Sequence, residues 1–179
     1  SFSHLPLLLK PDGPGKLSKR DGDRLGFPVF PLEWNNNGAT STGYREEGYF
    51  PDAFINMLSF LGWNPGTEQE IFSIEELAQA FSLDRVGKGG AKFDPDKAKW
   101  FNQEYLKAKT GRQLAEFIND TAIDPELLAK VCDQMKERAT FAKDIPSAGA
   151  YFFAAPTSYD EKIVKKKWKE QSPKIVTDL

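Results

Sequence analysis

The 179-residue sequence predicts a mainly α fold with a small β component. Two observations carry that expectation. From Pro51 onward, apolar residues recur at helical spacing in one segment after another, most opened by a cap or proline signal and separated by glycine or turn residues. Strand signals, by contrast, are short and fall before residue 46 or at Ala91-Lys92-Phe93.

In chain order, Leu5-Pro6-Leu7-Leu8-Leu9 is an apolar run stopped by Pro11-Asp12-Gly13-Pro14-Gly15, which reads as a buried strand entering a loop. Lys16 to Arg24 then carries six charges in nine residues, and such a stretch is expected to be solvated or to hold a charged ligand. Phe27 to Trp34 alternates apolar residues with prolines, as an edge strand does. Asn35-Asn36-Asn37-Gly38 predicts a hairpin turn, with the chain returning through Thr40 to Arg45. Ala53, Phe54, Met57, Leu58 and Leu61 form one apolar helical face, opened by Pro51 and ended near Gly62. Asn64-Pro65-Gly66 is a turn. Ser73 and Glu76 have capping-box spacing for a helix to about Phe81.

Gly87 to Gly90 interrupts the chain before the Ala91–Phe93 strand, and Asp94-Pro95 opens a helix through Trp100, Phe101 and Tyr105. Further helices are expected at 111–121, 125–141, 146–153 and 158–170. A boundary near Lys107 to Thr110 divides a mixed part, 1–107, from a purely helical part, 108–179.

The composition restricts the function classes. Hydrophobic residues at 40% and aromatics at 13% suit a packed domain, and no apolar run approaches the roughly 18 residues that span a bilayer. No membrane role or secretory leader is expected. Cys132, the single cysteine, excludes an internal disulfide and a cysteine-cluster zinc site, and it falls in a helix stripe as core. Together these point to the cytoplasm. His4 is the one histidine, and the acidic residues lack ligand spacing, so no metal site is predicted. The chain opens at Ser1 without methionine, which reads as a cut from a longer protein.

Net charge is −2, but it is unevenly placed: Arg85 to Lys109 holds seven basic residues against three acidic, and Lys162 to Lys169 holds five lysines and no acid. Local potential, not the total, governs contact with phosphates. In the second run Trp168 is expected to anchor a helix whose Lys165, Lys166 and Lys167 remain in solvent.

Lys16, Lys19 and Arg20 lie within five residues between glycines, an arrangement suited to clamping polyphosphate; Ser18 adds a hydroxyl. The plain alternative is a solvated surface loop. Context decides for the clamp. The segment from His4 to Gly22, with Lys16-Leu17-Ser18-Lys19-Arg20 inside it, resembles the strand and second signature loop of bacterial-type glutamyl-tRNA synthetases, class I enzymes in which this loop reads Lys-Met-Ser-Lys-Ser or a variant. The resemblance continues through Leu61-Gly62-Trp63-Asn64-Pro65, Phe81 to Val86, Ala91 to Asp94, Lys99 to Asn102, Glu137-Arg138-Ala139 and Tyr151-Phe152-Phe153, nearly the whole chain.

That resemblance implies the end of a catalytic domain with a stem-contact α/β fold in 1–107, then the start of an all-α helix cage that reads the anticodon. It implies Lys16 and Lys19 as catalytic, with Leu8, Leu9, Lys16, Leu17, Ser18, Lys19 and Arg20 at ATP, and Leu8 and Leu9 beside adenine with backbone groups available to it. Arg85, Lys88, Lys92 and Lys99 would meet tRNA; Lys97 belongs to the same basic stretch. The implied reaction activates glutamate with ATP, Mg2+ accompanying the nucleotide, and charges tRNA(Glu). Glutamate itself would be held mainly by an N-terminal part outside this sequence, in a monomer. The rival readings are a glutaminyl-tRNA synthetase, whose anticodon part is a β-barrel, and a non-catalytic RNA-binding module. The proline-rich stretch 27–49 is longer than this connector usually is and receives no role.

Overall fold

A computed structural model describes residues 4–36, 38–155 and 157–177. Strand β1 (Leu8–Leu9) pairs in parallel with β4 (Ala91–Lys92), Leu8 opposite Ala91 and Leu9 opposite Lys92. A hairpin is built from β2 (Trp34–Asn36) and β3 (Ala39–Ser41), with Trp34 opposite Ser41. Asn37 of the predicted turn lies outside the described residues. Among the described residues the other regular structure is helical, with 3-10 turns at Leu83–Arg85, Lys136–Arg138 and Ala142–Asp144 and the α-helices α1 (Lys19–Leu25), α2 (Tyr44–Glu47), α3 (Pro51–Ser59), α4 (Ile74–Ala80), α5 (Pro95–Ala108), α6 (Gly111–Ile118), α7 (Pro125–Met135), α8 (Ile145–Ala148), α9 (Ala150–Phe153), α10 (Glu161–Lys167) and α11 (Ser172–Thr177).

The helix starts obey the cap signals. Ser73 Oγ accepts from Glu76 N at 3.1 Å while Glu76 Oε2 accepts from Ser73 N at 2.7 Å, so two orphan donors at the start of α4 are satisfied together. Asp94 Oδ1 takes the amides of Asp96 and Lys97 ahead of α5, with Pro95 in the first turn. Asp124 Oδ1 takes the Leu127 amide at the start of α7, and Asp160 Oδ1 those of Lys162 and Ile163 at the start of α10.

Several expectations are corrected. The Leu5–Leu9 strand is neither long nor buried: its ladder with β4 is confined to Leu8 and Leu9, and Leu5 and Leu7 are 66% and 57% exposed. The charged stretch 16–24 is not loop throughout; it turns into α1 at Lys19, and Asp21 is buried within it. Phe27 to Leu32 is irregular, because Pro28 and Pro31 have no amide to lend to a ladder; Phe30 makes one bridge, to Gly43, and the strand begins at Trp34. On α3 Leu58 is exposed, and the polar Asn56 takes the inner position instead. The helix expected at 111–121 stops at Ile118, where Asn119 adopts a left-handed φ of 51°. The one expected at 125–141 ends at Met135, and the 146–153 segment is broken at Gly149. Trp168, expected as a helix anchor, follows α10 half-exposed.

The chain forms two compact units, residues 1–148 and 149–179. The first runs through 107–110, where α5 gives way to α6. Its central core joins Phe27 and Tyr44 to Tyr49, Met57, Phe93 and Phe101, and so fastens the connector, α3 and α5 together behind the signature loop. A second cluster packs Trp63, Phe72 and Leu77 beneath α4. Two buried asparagines stitch the segments. Asn56 accepts from Phe72 N (2.8 Å) and donates to Glu70 O (2.9 Å); Asn102 accepts from Phe50 N (2.9 Å) and donates to Thr140 O (2.8 Å). Cys132 is fully buried on α7, and burial pushes its thiol up to about 11.

Candidate functional site

The loop between β1 and α1 is closed at its base by backbone bonds. Lys10 N donates to Gly15 O at 3.1 Å, Leu17 N donates to Leu8 O at 2.8 Å, and Leu9 bridges Lys16. Lys16 therefore leaves the loop directly beside β1, and the chain enters α1 two residues after Leu17.

Asp21 fixes that entry. Its Oδ2 accepts from Ser18 N at 2.8 Å and from Ser18 Oγ at 2.5 Å. Its Oδ1 faces Lys10 Nζ at 3.3 Å and Arg24 Nη2 at 3.2 Å, and the same Arg24 nitrogen reaches Asp12 Oδ2 at 2.9 Å. One buried aspartate thus ties the loop's approach at Lys10, its exit at Ser18 and the following helix at Arg24 to one another. The hydrogen bonds from the Ser18 hydroxyl and amide hold this carboxyl well below the usual carboxylate range, and Arg24 and Lys10 add to the effect. Asp21 was not among the predicted site residues. Its signal was the Ser-x-x-Asp spacing of Ser18 and Asp21, a helix start concealed inside a basic motif.

Lys16, Lys19 and Arg20 are exposed and form no ion pair among the described residues, so their charge faces solvent or an incoming anion. A cleft of about 350 Å³ opens next to them. Its walls include Pro6, Leu8, Leu17, Val29, Phe54 and Phe93, and Lys16, Ser18 and Lys19 also line it. An apolar hollow beside two ammonium groups suits a ligand with a flat apolar part and an anionic tail. Leu8, Lys16, Leu17, Ser18 and Lys19 are therefore gathered around one cleft. Leu9 instead packs against Gly90, and Arg20 is not in the lining. The carbonyls of Leu8 and Leu9 already accept from Leu17 N and Phe93 N, leaving one lone pair on each. The Ser18 hydroxyl proton is committed to Asp21.

The basic residues farther along fall into separate surroundings. The Arg85 guanidinium donates to the carbonyl of Pro65 and braces the turn at Gly66. Lys88 borders a polar hollow of about 330 Å³ with His4, Leu5, Pro6 and Val86. Lys92 is exposed on β4, and Lys99 is exposed in the second turn of α5. Their neighbour Lys97 is engaged with Glu70 at 2.5 Å and lies 5.7 Å from the ring centroids of Phe60 and Phe101.

Residues 1–100 match the family described as class I tRNA synthetases (E and Q), catalytic domain, and residues 99–179 match an anticodon binding domain. Among curated relatives, a glutamate–tRNA ligase of Christiangramia forsetii is 52% identical over 99% of this chain, and one of Bacteroides fragilis is 52% identical over all of it. The chain spans 37% of the length of each. Among solved structures, a glutamate tRNA ligase from Elizabethkingia meningosepticum, in complex with its amino acid, superposes with a TM-score of 0.87 at 48% identity, over 99% of this chain and 37% of that one. The glutamate–tRNA synthetase of Elizabethkingia anophelis gives 0.84 at 51% identity, over 92% and 35%. Residues 111–148 are helical where the glutaminyl alternative requires a β-barrel, and the relatives named are glutamate enzymes.

Proposed function

Because the chain belongs to the class I tRNA synthetases of the glutamate and glutamine type, we propose that it is the part of a glutamate–tRNA ligase that supplies the ATP-phosphate loop and tRNA-contacting modules. Residues 1–107 are assigned to the end of the catalytic domain and the stem-contact region. Residues 108–179 are assigned to the first part of the anticodon-binding domain; the two family matches meet a little earlier, at residues 99 and 100.

The observation that carries the reading is the convergence of Leu8, Lys16 and Lys19 on one cleft. In the proposed reaction a glutamate carboxylate oxygen attacks the α-phosphorus of ATP. The bond to the β-phosphate oxygen breaks and pyrophosphate leaves, with Mg2+ entering as part of the nucleotide complex. Charge accumulates on the departing pyrophosphate, and the ammonium of Lys19, seconded by Lys16, stabilises it more in the transition state than in the ground state. The adenine lies against the apolar wall at Leu8, with Leu9 behind it. The terminal ribose hydroxyl of tRNA(Glu) then takes the acyl group, releasing AMP. Arg85, Lys88, Lys92 and Lys99 contribute phosphate contacts that position the tRNA without reading sequence. The setting is the cytoplasm and the enzyme acts as a monomer.

The test is glutamate-dependent ATP–pyrophosphate exchange by the full-length protein. Lys19→Ala should lower it by about 10²–10³-fold, the usual cost of losing one charge-stabilising donor. A variant that activates glutamate normally and loses only tRNA affinity would remove Lys19 from the ATP site. The resemblance to class I synthetases implies a second nucleotide-binding signature, His-x-Gly-His; residues 1–179 hold one histidine, so that motif is not among them and this chain by itself should give no exchange.

A further inference from the structure

The stretch 27–49 acquires a role from what it touches. Lys19 Nζ lies 5.2 Å from the ring centroid of Phe30, within the range of a cation–π contact. Phe30 in turn stacks on Trp34, centroids 5.7 Å apart and planes 16° from parallel. The ring is not on a free loop. Phe30 O accepts from Tyr44 N at 2.9 Å, Pro31 O accepts from Arg45 N at 3.1 Å, and Phe30 bridges Gly43. Gly43 allows that approach, since a Cβ there would come within 2.2 Å of the Leu32 carbonyl carbon. The seat is also pressed against the helix that carries Lys19: a Cβ on Gly22 would lie 2.7 Å from Phe27 O and 2.8 Å from Val29 Cγ1. Tyr44, whose amide holds Phe30, is itself buried in the central core, so the ring's position is referred to the rigid part of the fold.

We propose that Phe30 is a positioning residue for Lys19, its ring face seating the ammonium at the edge of the ATP cleft, and that the proline-rich connector serves to hold that ring. The inference rests on the ATP role given to Lys19 above. Lysine has four side-chain rotors, and an ammonium that must meet a transition state loses their freedom on the way. A seat beside the cleft settles part of that loss in advance. The benefit belongs to the transition state, so it should appear in kcat rather than in the KM for ATP.

The test uses the full-length protein with lysine side chains labelled at Cε and Lys19 assigned through Lys19→Arg. The wild-type Lys19 Cε–H signal should lie upfield, shifted by the ring current of Phe30. Phe30→Leu, which keeps an apolar side chain and removes the ring, should abolish that shift and lower kcat for pyrophosphate exchange about two- to fivefold, the range of an exposed cation–π contact. KM for ATP should stay within about twofold, and Phe30→Tyr should preserve both shift and rate. An unshifted wild-type signal overturns the seat, whatever the variants do. So does a folded Phe30→Leu protein with unchanged kcat. If Lys19→Ala leaves exchange intact, the ATP role fails instead, which is distinguishable because the ring-current shift is read independently of activity.

Discussion

Asn102 offers the most direct measure of how the helical segments are fastened to the loop-bearing part of the chain. Its side chain is fully buried on α5, with Oδ1 taking the amide of Phe50 at the start of α3 and Nδ2 giving to the carbonyl of Thr140 after α7. Asn102→Ala would leave the buried Phe50 amide and the part-buried Thr140 carbonyl without partners. Each such orphan costs about 1–3 kcal/mol, so the variant should lose roughly 4 kcal/mol, from a total of about 5–15 for a typical domain. At about 2–4 °C per kcal/mol for a chain of this size, Tm should fall by roughly 8–16 °C. The Tyr49–Phe141 ring contact at 5.0 Å and the Lys143–Glu47 pair at 3.4 Å cross the same seam, so the segments should remain docked at low temperature. The assay is thermal unfolding followed by circular dichroism, together with hydrogen exchange at the Phe50 amide. A Tm within about 2 °C of wild type, or an unaltered Phe50 exchange rate, would refute the view that this side chain joins the two regions.

Three further outcomes are expected. Asp21 has a folded-state pKa held below its unfolded value of about 3.9, so its contribution is present above that value and is lost as pH falls through the lower, folded one. The Ser18 amide resonance should accordingly stay fixed from pH 7 to 4 and move only in stronger acid, while Asp21→Asn should displace it at every pH and loosen the Ser18–Lys19 turn; a Ser18 amide that titrates near pH 4 would contradict the geometry. The Cys132 thiol, raised to about 11, favours the folded state below its unfolded value of about 8.5, and that stabilisation is lost as pH rises from there towards 11. At pH 8 a thiol reagent should label it only as fast as the protein opens, and rapid stoichiometric labelling without denaturant would show the site to be accessible. Lys92→Ala should weaken tRNA binding and reduce the steepness of its salt dependence by about one phosphate contact, with pyrophosphate exchange preserved; an unchanged salt slope would remove Lys92 from the RNA surface.

The local signals in the sequence were accurate wherever one short stretch suffices to define the structure. Ser73 with Glu76, and Asp94 with Pro95, specify helix starts because their partners lie two or three residues away. The alternation of loop and strand around Leu8 was legible for the same reason, as was the basic motif at Lys16 to Arg20. Ser18 and Asp21 had equally local geometry, yet the density of charge hid a helix start that a capping rule applied to the motif would have found.

What the sequence alone determined was the family, the helical character and the caps, and it singled out Lys16 and Lys19 as the lysines proposed for phosphate. These depend on residue type and spacing, which survive without knowledge of the fold. The tertiary structure decided the rest: that Asp21 is buried and ties Lys10, Ser18 and Arg24 together, that Asn56 rather than Leu58 faces inward on α3, and that Phe30 lies under Lys19. The physical reason is range. A cap is set by the nearest turn of chain, whereas the place of Phe30 depends on a bridge to Gly43 and on Tyr44 being held in a core assembled from residues as distant as Phe101.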